Sequence, residues 1–219
     1  KLIKVILDHT DVERLRVSSL QPQELTERLI RLWDDKRICP HFHIPMQSGS
    51  DKILQVMRRR YTAKEYLDAV ERIRNSVPHA SITADVIIGF PGESEEDFNE
   101  TFELCRMVSF ANIHLFRYSL RPGTSAYYLD SRISDNTKRK RMSLMTELVH
   151  FQKERFWNNQ LGQICNVLWE STRVQYGKPY WSGLTETYIP VQVQNHNDLL
   201  NSITPVKLVG LHSEGMKAV

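Results

Sequence analysis

The segment Asp85-Val86-Ile87-Ile88-Gly89-Phe90-Pro91-Gly92-Glu93-Ser94 carries the strongest chemical signal in the chain. An apolar run stops at Gly-Phe-Pro-Gly-Glu and a helical pattern begins at once. In a parallel α/β sheet such a junction lies at the carboxyl end of a strand, where ligands bind. Gly89 and Gly92 would let a backbone approach a ligand closely, and Pro91 fixes the bend between them. Other strand-like runs end in equally polar turns: Ser18-Ser19, Gln47-Ser48-Gly49-Ser50 and Tyr118-Ser119-Leu120-Arg121-Pro122-Gly123-Thr124. Together they offer hydroxyls, an amide, the Glu93 carboxylate, an arginine and backbone amides. That set suits a polar ligand with a flat aromatic part, with hydroxyls and carboxylates for ribose, backbone groups for a base and Arg for a carboxylate or phosphate. Turn-making by Gly, Ser and Pro is the alternative reading of any one of these turns.

Met57-Arg58-Arg59-Arg60-Tyr61 follows the second turn closely. Consecutive arginines at a helix end cannot all face one site. Arg59 is expected to turn into the cleft while Arg58 and Arg60 face an anionic polymer; a solvated run beside the helix C-terminus is the other reading. Lys138-Arg139-Lys140-Arg141 sits at a helix start, where the dipole disfavours positive charge; that misplacement points to phosphate contact, and a merely solvated face is the equal alternative. His41 and His43 share one strand face without a third ligand at metal spacing, so they read as a packed or hydrogen-bonded pair. Asp85 lies inside an apolar strand and must be either paired with a cation or part of the site.

These residues need a scaffold of alternating elements. Strands are expected at Arg14 to Leu20, His41 to Gln47, Ile82 to Gly89 and Asn112 to Ser119. Helices are expected from Pro22 (with Leu25, Leu29, Leu32 and Trp33 on one face), from Ser50, from the capping box at Thr62 to Glu65, from Ser94, and from about Asp135 to Asn158. Such alternation means parallel strands, and this many βα units make only part of an eight-fold barrel. Near Leu161-Gly162 the pattern changes to short strands, at Ile164 to Glu170, Thr185 to Gln194 and Val206 to Leu211. A small, charge-neutral β-barrel is expected there.

The 219 residues, 41% hydrophobic and 25% charged, suit a folded protein of one medium and one small domain. A net charge of +3 does not by itself announce a nucleic-acid binder. No apolar stretch approaches the ~20 residues that cross a bilayer. Cys39, Cys105 and Cys165 lack metal spacing and read as reduced thiols in a cytoplasmic protein. The opening Lys1-Leu2-Ile3-Lys4-Val5-Ile6-Leu7-Asp8 reads as the middle of an amphipathic helix, and the chain as a fragment of a longer protein.

With these segments in view, the chain resembles the radical S-adenosylmethionine (SAM) methylthiotransferases, the MiaB/MtaB/RimO family. The likeness rests on Arg16-Val17-Ser18-Ser19-Leu20, His43-Ile44-Pro45-Met46-Gln47-Ser48-Gly49-Ser50-Asp51, Met57 to Tyr61, Asp85 to Glu93 and Phe116 to Thr124. Within the family, His43-Ile44-Pro45 with Met57-Arg58-Arg59-Arg60-Tyr61 is most similar to the branch that modifies threonylcarbamoyl-adenosine in tRNA. The resemblance implies that residues 1–157 are the C-terminal part of a radical SAM βα barrel and residues 158–219 a TRAM-like, RNA-binding β-barrel. It implies a reaction in which a reduced [4Fe–4S] cluster cleaves SAM, hydrogen leaves C2 of an adenine beside the anticodon, and sulfur and a methyl group take its place.

The same likeness implies a SAM site drawn from Ser18, Ser19, Gln47, Ser48, Arg59, Asp85, Ile87, Gly89, Phe90, Gly92, Glu93, Tyr118 and Ser119. In it, Arg59 approaches the SAM carboxylate, and Ile87, Gly89 and Phe90 form the adenine wall. RNA contacts are expected from Arg58, Arg60, Arg121, Lys138, Arg139, Lys140 and Arg141. The family's CxxxCxxC motif does not occur in the 219 residues. No metal ligands are therefore expected in them, and the chain alone is expected to be inactive. The alternatives are the sister activity on a ribosomal-protein aspartate and a non-enzymatic RNA-binding protein on a degraded barrel.

Overall fold

The computed structural model describes residues 1–129, 131–175 and 177–219. It has an α/β part built on a parallel sheet and a separate, mostly β part. Helix α1 (Leu2–His9) leads to α2 (Glu27–Ile30) and strand β1 (His41–His43), followed by α3 (Asp51–Val56) and α4 (Ala63–Ser76). Then come β2 (Ser81–Ile88), α5 (Glu95–Val108), β3 (Asn112–Arg117) and the long α6 (Asp135–Asn158). The sheet order is β1-β2-β3, with Phe42 opposite Ile82 and Asp85 opposite His114. Ile82, Ala84, Val86 and Ile88 project to one side of β2 and are buried with Phe42, Ile44, Met46, Tyr66 and Phe98. The other side of β2 carries Ser81, Thr83, Asp85 and Ile87.

Two expected strands are shorter or less regular than the sequence suggests. The run from Arg14 to Leu20 is no strand. It meets the chain at an isolated bridge between Leu15 and Ile38, and the Leu20 amide donates to His43 O at 3.1 Å. Ser19, at φ 61, breaks the pleat there. The run from His41 to Gln47 is interrupted at Pro45, which lacks a donor, and parallel contact resumes at Gln47 and Val86. The single helix expected from Pro22 is instead two 3₁₀ turns flanking α2, because Thr26 caps afresh by accepting from the Leu29 amide at 3.3 Å.

The C-terminal part closes into a barrel in the order β4-β5-β6-β8-β7. Its strands are β4 (Ile164–Gln175), β5 (Lys178–Thr185), β6 (Pro190–Gln194), β7 (Ile203–His212) and β8 (Gly215–Ala218). β5 and β8 escape the sequence reading because each contains a glycine that lowers strand propensity. Both glycines are demanded by close packing: a Cβ on Gly183 would strike the Leu168 carbonyl, and one on Gly215 the Pro190 carbonyl. Trp169 fills the barrel centre and donates from its indole to Thr204 Oγ1 at 2.7 Å.

Helix α6 belongs to both parts. Met145 packs in the core of the sheet, whereas Trp157 at the other end packs in the barrel core. Arg141 anchors this helix to the β2–α5 turn. Its guanidinium lies 2.5 Å from Glu93 and 2.9 Å from Glu95, and stands over the Phe98 ring at 5.2 Å. The Arg141 and Glu93 side chains retain only 6% and 2% of their exposure. This corrects the expectation that Arg141 contacts RNA: it faces inward, where an isolated carboxylate would otherwise be stranded.

Removing one member of that pair should therefore cost far more than removing its exposed neighbour. Arg141→Ala is expected to lower unfolding free energy by about 3–5 kcal/mol, against roughly 0.5 kcal/mol or less for Arg139→Ala. Urea unfolding of the two variants measures this; equal losses would mean the pair does not hold the helix.

Candidate functional site

The carboxyl ends of β1, β2 and β3 converge on a cleft of about 330 Å³. Gln47 and Asp85 form its polar floor, Ile87 and Phe116 its apolar walls, and Tyr118 and Ser119 its rim, with Arg121, Thr124 and Ala126 beyond. Gln47 adopts φ 66, and its backbone bridges β2 by accepting from the Ile87 amide and donating to Asp85 O at 2.8 Å. Tyr61 and Tyr66 fix the chain just before it. Tyr61 Oη donates to Pro45 O at 2.9 Å and Tyr66 Oη to Ile44 O at 2.9 Å. Burial pushes the Tyr61 phenol up to about 12, so it stays a donor.

The remaining residues of the Gln-Ser-Gly-Ser turn face α5 instead of the cleft. Ser48 Oγ lies 3.2 Å from Thr101 Oγ1, the Gly49 amide donates to that same oxygen, and Ser50 Oγ donates to Asp97 at 2.7 Å. A Cβ at Gly49 would stand 2.6 Å from Thr101 Cα. Burial opposes ionisation of Asp97, but hydrogen bonds from Lys52, Ser94 and Ser50 outweigh it and hold the carboxyl well below its usual range. Ser48 is thus occupied in joining a turn to a helix.

The Gly-Phe-Pro-Gly-Glu turn is also largely self-contained. The Gly89 amide donates to both Glu93 carboxylate oxygens, at 3.1 and 3.2 Å. Burial raises the Glu93 carboxyl, while Arg141 and the Gly89 and Phe90 amides pull against that rise. Gly89 has φ 75, and the place its Cβ would take is filled by the Lys138 side chain, 2.5 Å away. Glu93 is therefore a buttress and not a ligand-facing carboxylate, and the approach to Gly89 is taken by a lysine. Gly92, at φ 85, has open space around it and donates to Ser131 O. Phe90 is buried with its ring edge-on to Tyr118 at 5.2 Å, one layer behind the cleft.

Of the expected site residues, Gln47, Asp85, Ile87, Tyr118 and Ser119 meet in the cleft, and Arg121, assigned to RNA, joins them. Ser18 and Ser19 are exposed and bonded to each other at 3.4 Å. Arg58, Arg59 and Arg60 line a different, polar groove with Gln21, Gln23 and Glu24, so Arg59 does not turn into this cleft. Arg139 and Lys140 are exposed, whereas Lys138 is half-buried with its ammonium 5.7 Å from the Tyr118 ring centre.

Below the cleft, the inner face of the sheet carries residues that sequence reading passed over as site members. His43 Nε2 lies 3.4 Å from Asp85 and its Nδ1 3.1 Å from Thr83 Oγ1, which in turn lies 3.2 Å from His41 Nε2. Arg16 donates to His41 Nδ1 at 3.1 Å and sits 4.0 Å over Tyr188 of the barrel, on which His41 also stacks. Burial, with Arg16 and the neighbouring histidines, lowers His41 to about 3, and burial lowers His43 despite Asp85. The alternation Asn112, His114, Phe116 along β3 is the available signal for this face.

The thiols offer no cluster site. Cys39 and Cys105 are buried, Cys165 is half-buried, and burial raises all of them away from the thiolate form that binds iron. Among the described residues no group of three or more His, Cys, Asp or Glu is placed to hold a metal ion.

The profile of the radical SAM superfamily matches residues 3–105. A tRNA-2-methylthio-N(6)-dimethylallyladenosine synthase of Ehrlichia chaffeensis is 33% identical over 223 residues, covering all of this chain and 50% of that protein. One of the same name from Syntrophus aciditrophicus is 44% identical over 149 residues, 68% of this chain and 32% of that protein. The threonylcarbamoyladenosine tRNA methylthiotransferase MtaB of Treponema pallidum is 33% identical over 218 residues, 98% of this chain and 43% of that protein. The chain thus spans about half the length, 50%, of the first of these relatives. In fold it is similar to the coproporphyrinogen III oxidase HemN of Escherichia coli, described as a radical SAM enzyme, with a TM-score of 0.54 and 15% identity over 70% of this chain and 36% of that one.

The state of His41 yields a pH test. Its folded value near 3 lies below the ordinary 6.5, so the unfolded chain binds the extra proton between those values. Its contribution is whole above about pH 6.5 and is lost on acidification, at up to about 1.4 kcal/mol per unit. His41→Gln should flatten the fall in unfolding free energy between about pH 6.5 and 4; an unchanged slope in urea titrations would mean that His41 is not held neutral.

Proposed function

From a chain that belongs to the radical SAM methylthiotransferase family, we propose part of a tRNA methylthiotransferase that adds a methylthio group to C2 of a hypermodified adenosine beside the anticodon. The observation that carries this reading is the convergence of Gln47, Asp85, Ile87 and Tyr118 from neighbouring strand ends on one cleft. The donor set fits SAM. The Asp85 carboxylate accepts from hydroxyls, the Gln47 amide both donates and accepts, and Ile87 with Phe116 presents flat apolar area to an adenine. Arg121 at the rim suits a carboxylate. Bound there, SAM supplies the family's radical-forming and methyl-donating chemistry. The protein's part is to hold the ligand, orient it and exclude water from the apolar walls.

The cysteines of this chain do not fit a [4Fe–4S] cluster. We propose that its ligands lie outside these 219 residues, which alone would not methylthiolate RNA. Relatives named for the dimethylallyl and the threonylcarbamoyl nucleosides match nearly the whole chain at 33% identity. The His43-Ile44-Pro45 and Met57 to Tyr61 motifs favour the threonylcarbamoyl substrate. The closed C-terminal barrel supports a TRAM-like RNA-binding role. Because the barrel is charge-neutral, the phosphate contacts fall to the exposed Arg58, Arg60, Arg139 and Lys140 of the α/β part. Free thiols, with Cys39 and Cys105 buried, support a cytoplasmic setting.

The test is made in the complete protein, expressed in a host lacking its own methylthiotransferases. Mass spectrometry of tRNA nucleosides should show 2-methylthio adenosine restored by the wild type and reduced about tenfold or more by Asp85→Ala. Full modification by that variant would remove the cleft from the reaction. Replacing Arg58, Arg60, Arg139 and Lys140 by serine should weaken binding of an anticodon stem-loop and flatten its salt dependence by about one unit of slope per lost contact. An unaltered slope would return these cations to ordinary surface.

A further inference from the structure

The polar residues under the cleft form a chain whose two ends fix its direction. An arginine can only donate, so Arg16 Nε at 3.1 Å makes His41 Nδ1 an acceptor and leaves the proton on His41 Nε2. That proton points at Thr83 Oγ1, 3.2 Å away. At the far end a carboxylate can only accept, so His43 Nε2 donates to Asp85 Oδ2 at 3.4 Å. A neutral His43 then has its lone pair on Nδ1, 3.1 Å from Thr83, and the threonine hydroxyl donates into it. Every donor points the same way, from Arg16 through His41, Thr83 and His43 to Asp85. Burial favours the neutral form of both imidazoles, as this order requires. His114 also lies against His43, edge-on at 5.7 Å and exposed.

The start of this chain is not in the sheet but at the barrel. The Arg16 guanidinium lies 4.0 Å over the Tyr188 ring, and His41 stacks on the same ring at 4.7 Å. Tyr188 itself is held at φ 66. Arg14, on the same segment, donates to Leu184 O and Asn166 O of the barrel at 2.9 and 2.7 Å. The other end opens on the cleft, which Asp85 lines with 26% of its side chain exposed.

We propose that Arg16, His41, Thr83 and His43 are positioning residues that hold Asp85 as an oriented acceptor for a ligand hydroxyl, and that docking of the C-terminal barrel through Tyr188 sets them. The proposal rests on the reading of the cleft as a SAM site, whose ribose hydroxyls are donors of the required kind. It makes the cleft sensitive to whether the barrel is seated on the sheet, without any residue of the barrel touching the ligand.

Nitrogen NMR of the imidazoles reads the wire directly. In the wild-type chain at neutral pH, His41 and His43 should both be neutral with the proton on Nε2. Thr83→Val, which keeps the shape and removes the hydroxyl, should shift the His43 ring nitrogens and weaken SAM binding about tenfold by calorimetry. Thr83→Ser should restore both. Tyr188→Leu should move the His43 nitrogens although it lies in the other part of the molecule. A proton on His43 Nδ1, or a His43 signal indifferent to Thr83→Val, overturns the wire whatever the cleft binds. His43 nitrogens unmoved in Tyr188→Leu overturn the link to the barrel. Expected tautomers in a chain that takes up no SAM uphold the wire and overturn the cleft assignment instead.

Discussion

The register of the parallel sheet decides which side chains are packed under the helices and which reach the cleft. Pairing Phe42 with Ile82 and Asp85 with His114 puts Ile82, Ala84, Val86 and Ile88 under the helices. Side chains alternate along a strand, so the same choice commits Thr83, Asp85 and Ile87 to the opposite face together with His41, His43 and Phe116. A slip of one residue would bury Asp85 among aliphatic side chains and expose Val86. The polar inner face is therefore specified by the apolar outer one, and the cleft is where that face reaches the strand ends.

Turns rich in glycine and serine surround this cleft, but most of their side chains brace the fold. Ser48, Gly49 and Ser50 are spent on Thr101 and Asp97 of α5. Glu93 closes its own turn and meets Arg141 of α6. What these interactions achieve is placement: they leave Gln47, Ile87, Tyr118 and Ser119 to line the cleft. Helix α6 then carries the arrangement to the barrel, since one end packs with the sheet and Trp157 at the other with the barrel core.

Much of this could be read from residue order. The capped helix starts at Thr62 and Ser94, the long helix from about Asp135 to Asn158, and the apolar central strand follow from local chemistry and periodicity. Local rules failed where distant partners decide. Nothing near Arg141 announces that it will neutralise Glu93, 48 residues away, while Arg139 and Lys140 stay in water. Gly89 promised access to a ligand, yet the side chain of Lys138 occupies the space. Arg59 follows the Gln47 turn closely in sequence but leaves α3 toward another groove. Thr83 carried no signal at all, because its role exists only between two histidines of the adjacent strand.

The proposed function requires that one concave site, assembled from three strand ends, receive a nucleoside-bearing sulfonium. Titrating SAM into the isotope-labelled chain and mapping the backbone amide shifts tests this. The responding amides should cluster at Gln47, Ile87, Tyr118 and Ser119. Shifts confined to Arg58 to Arg60 or to the barrel, with silent strand ends, would contradict it.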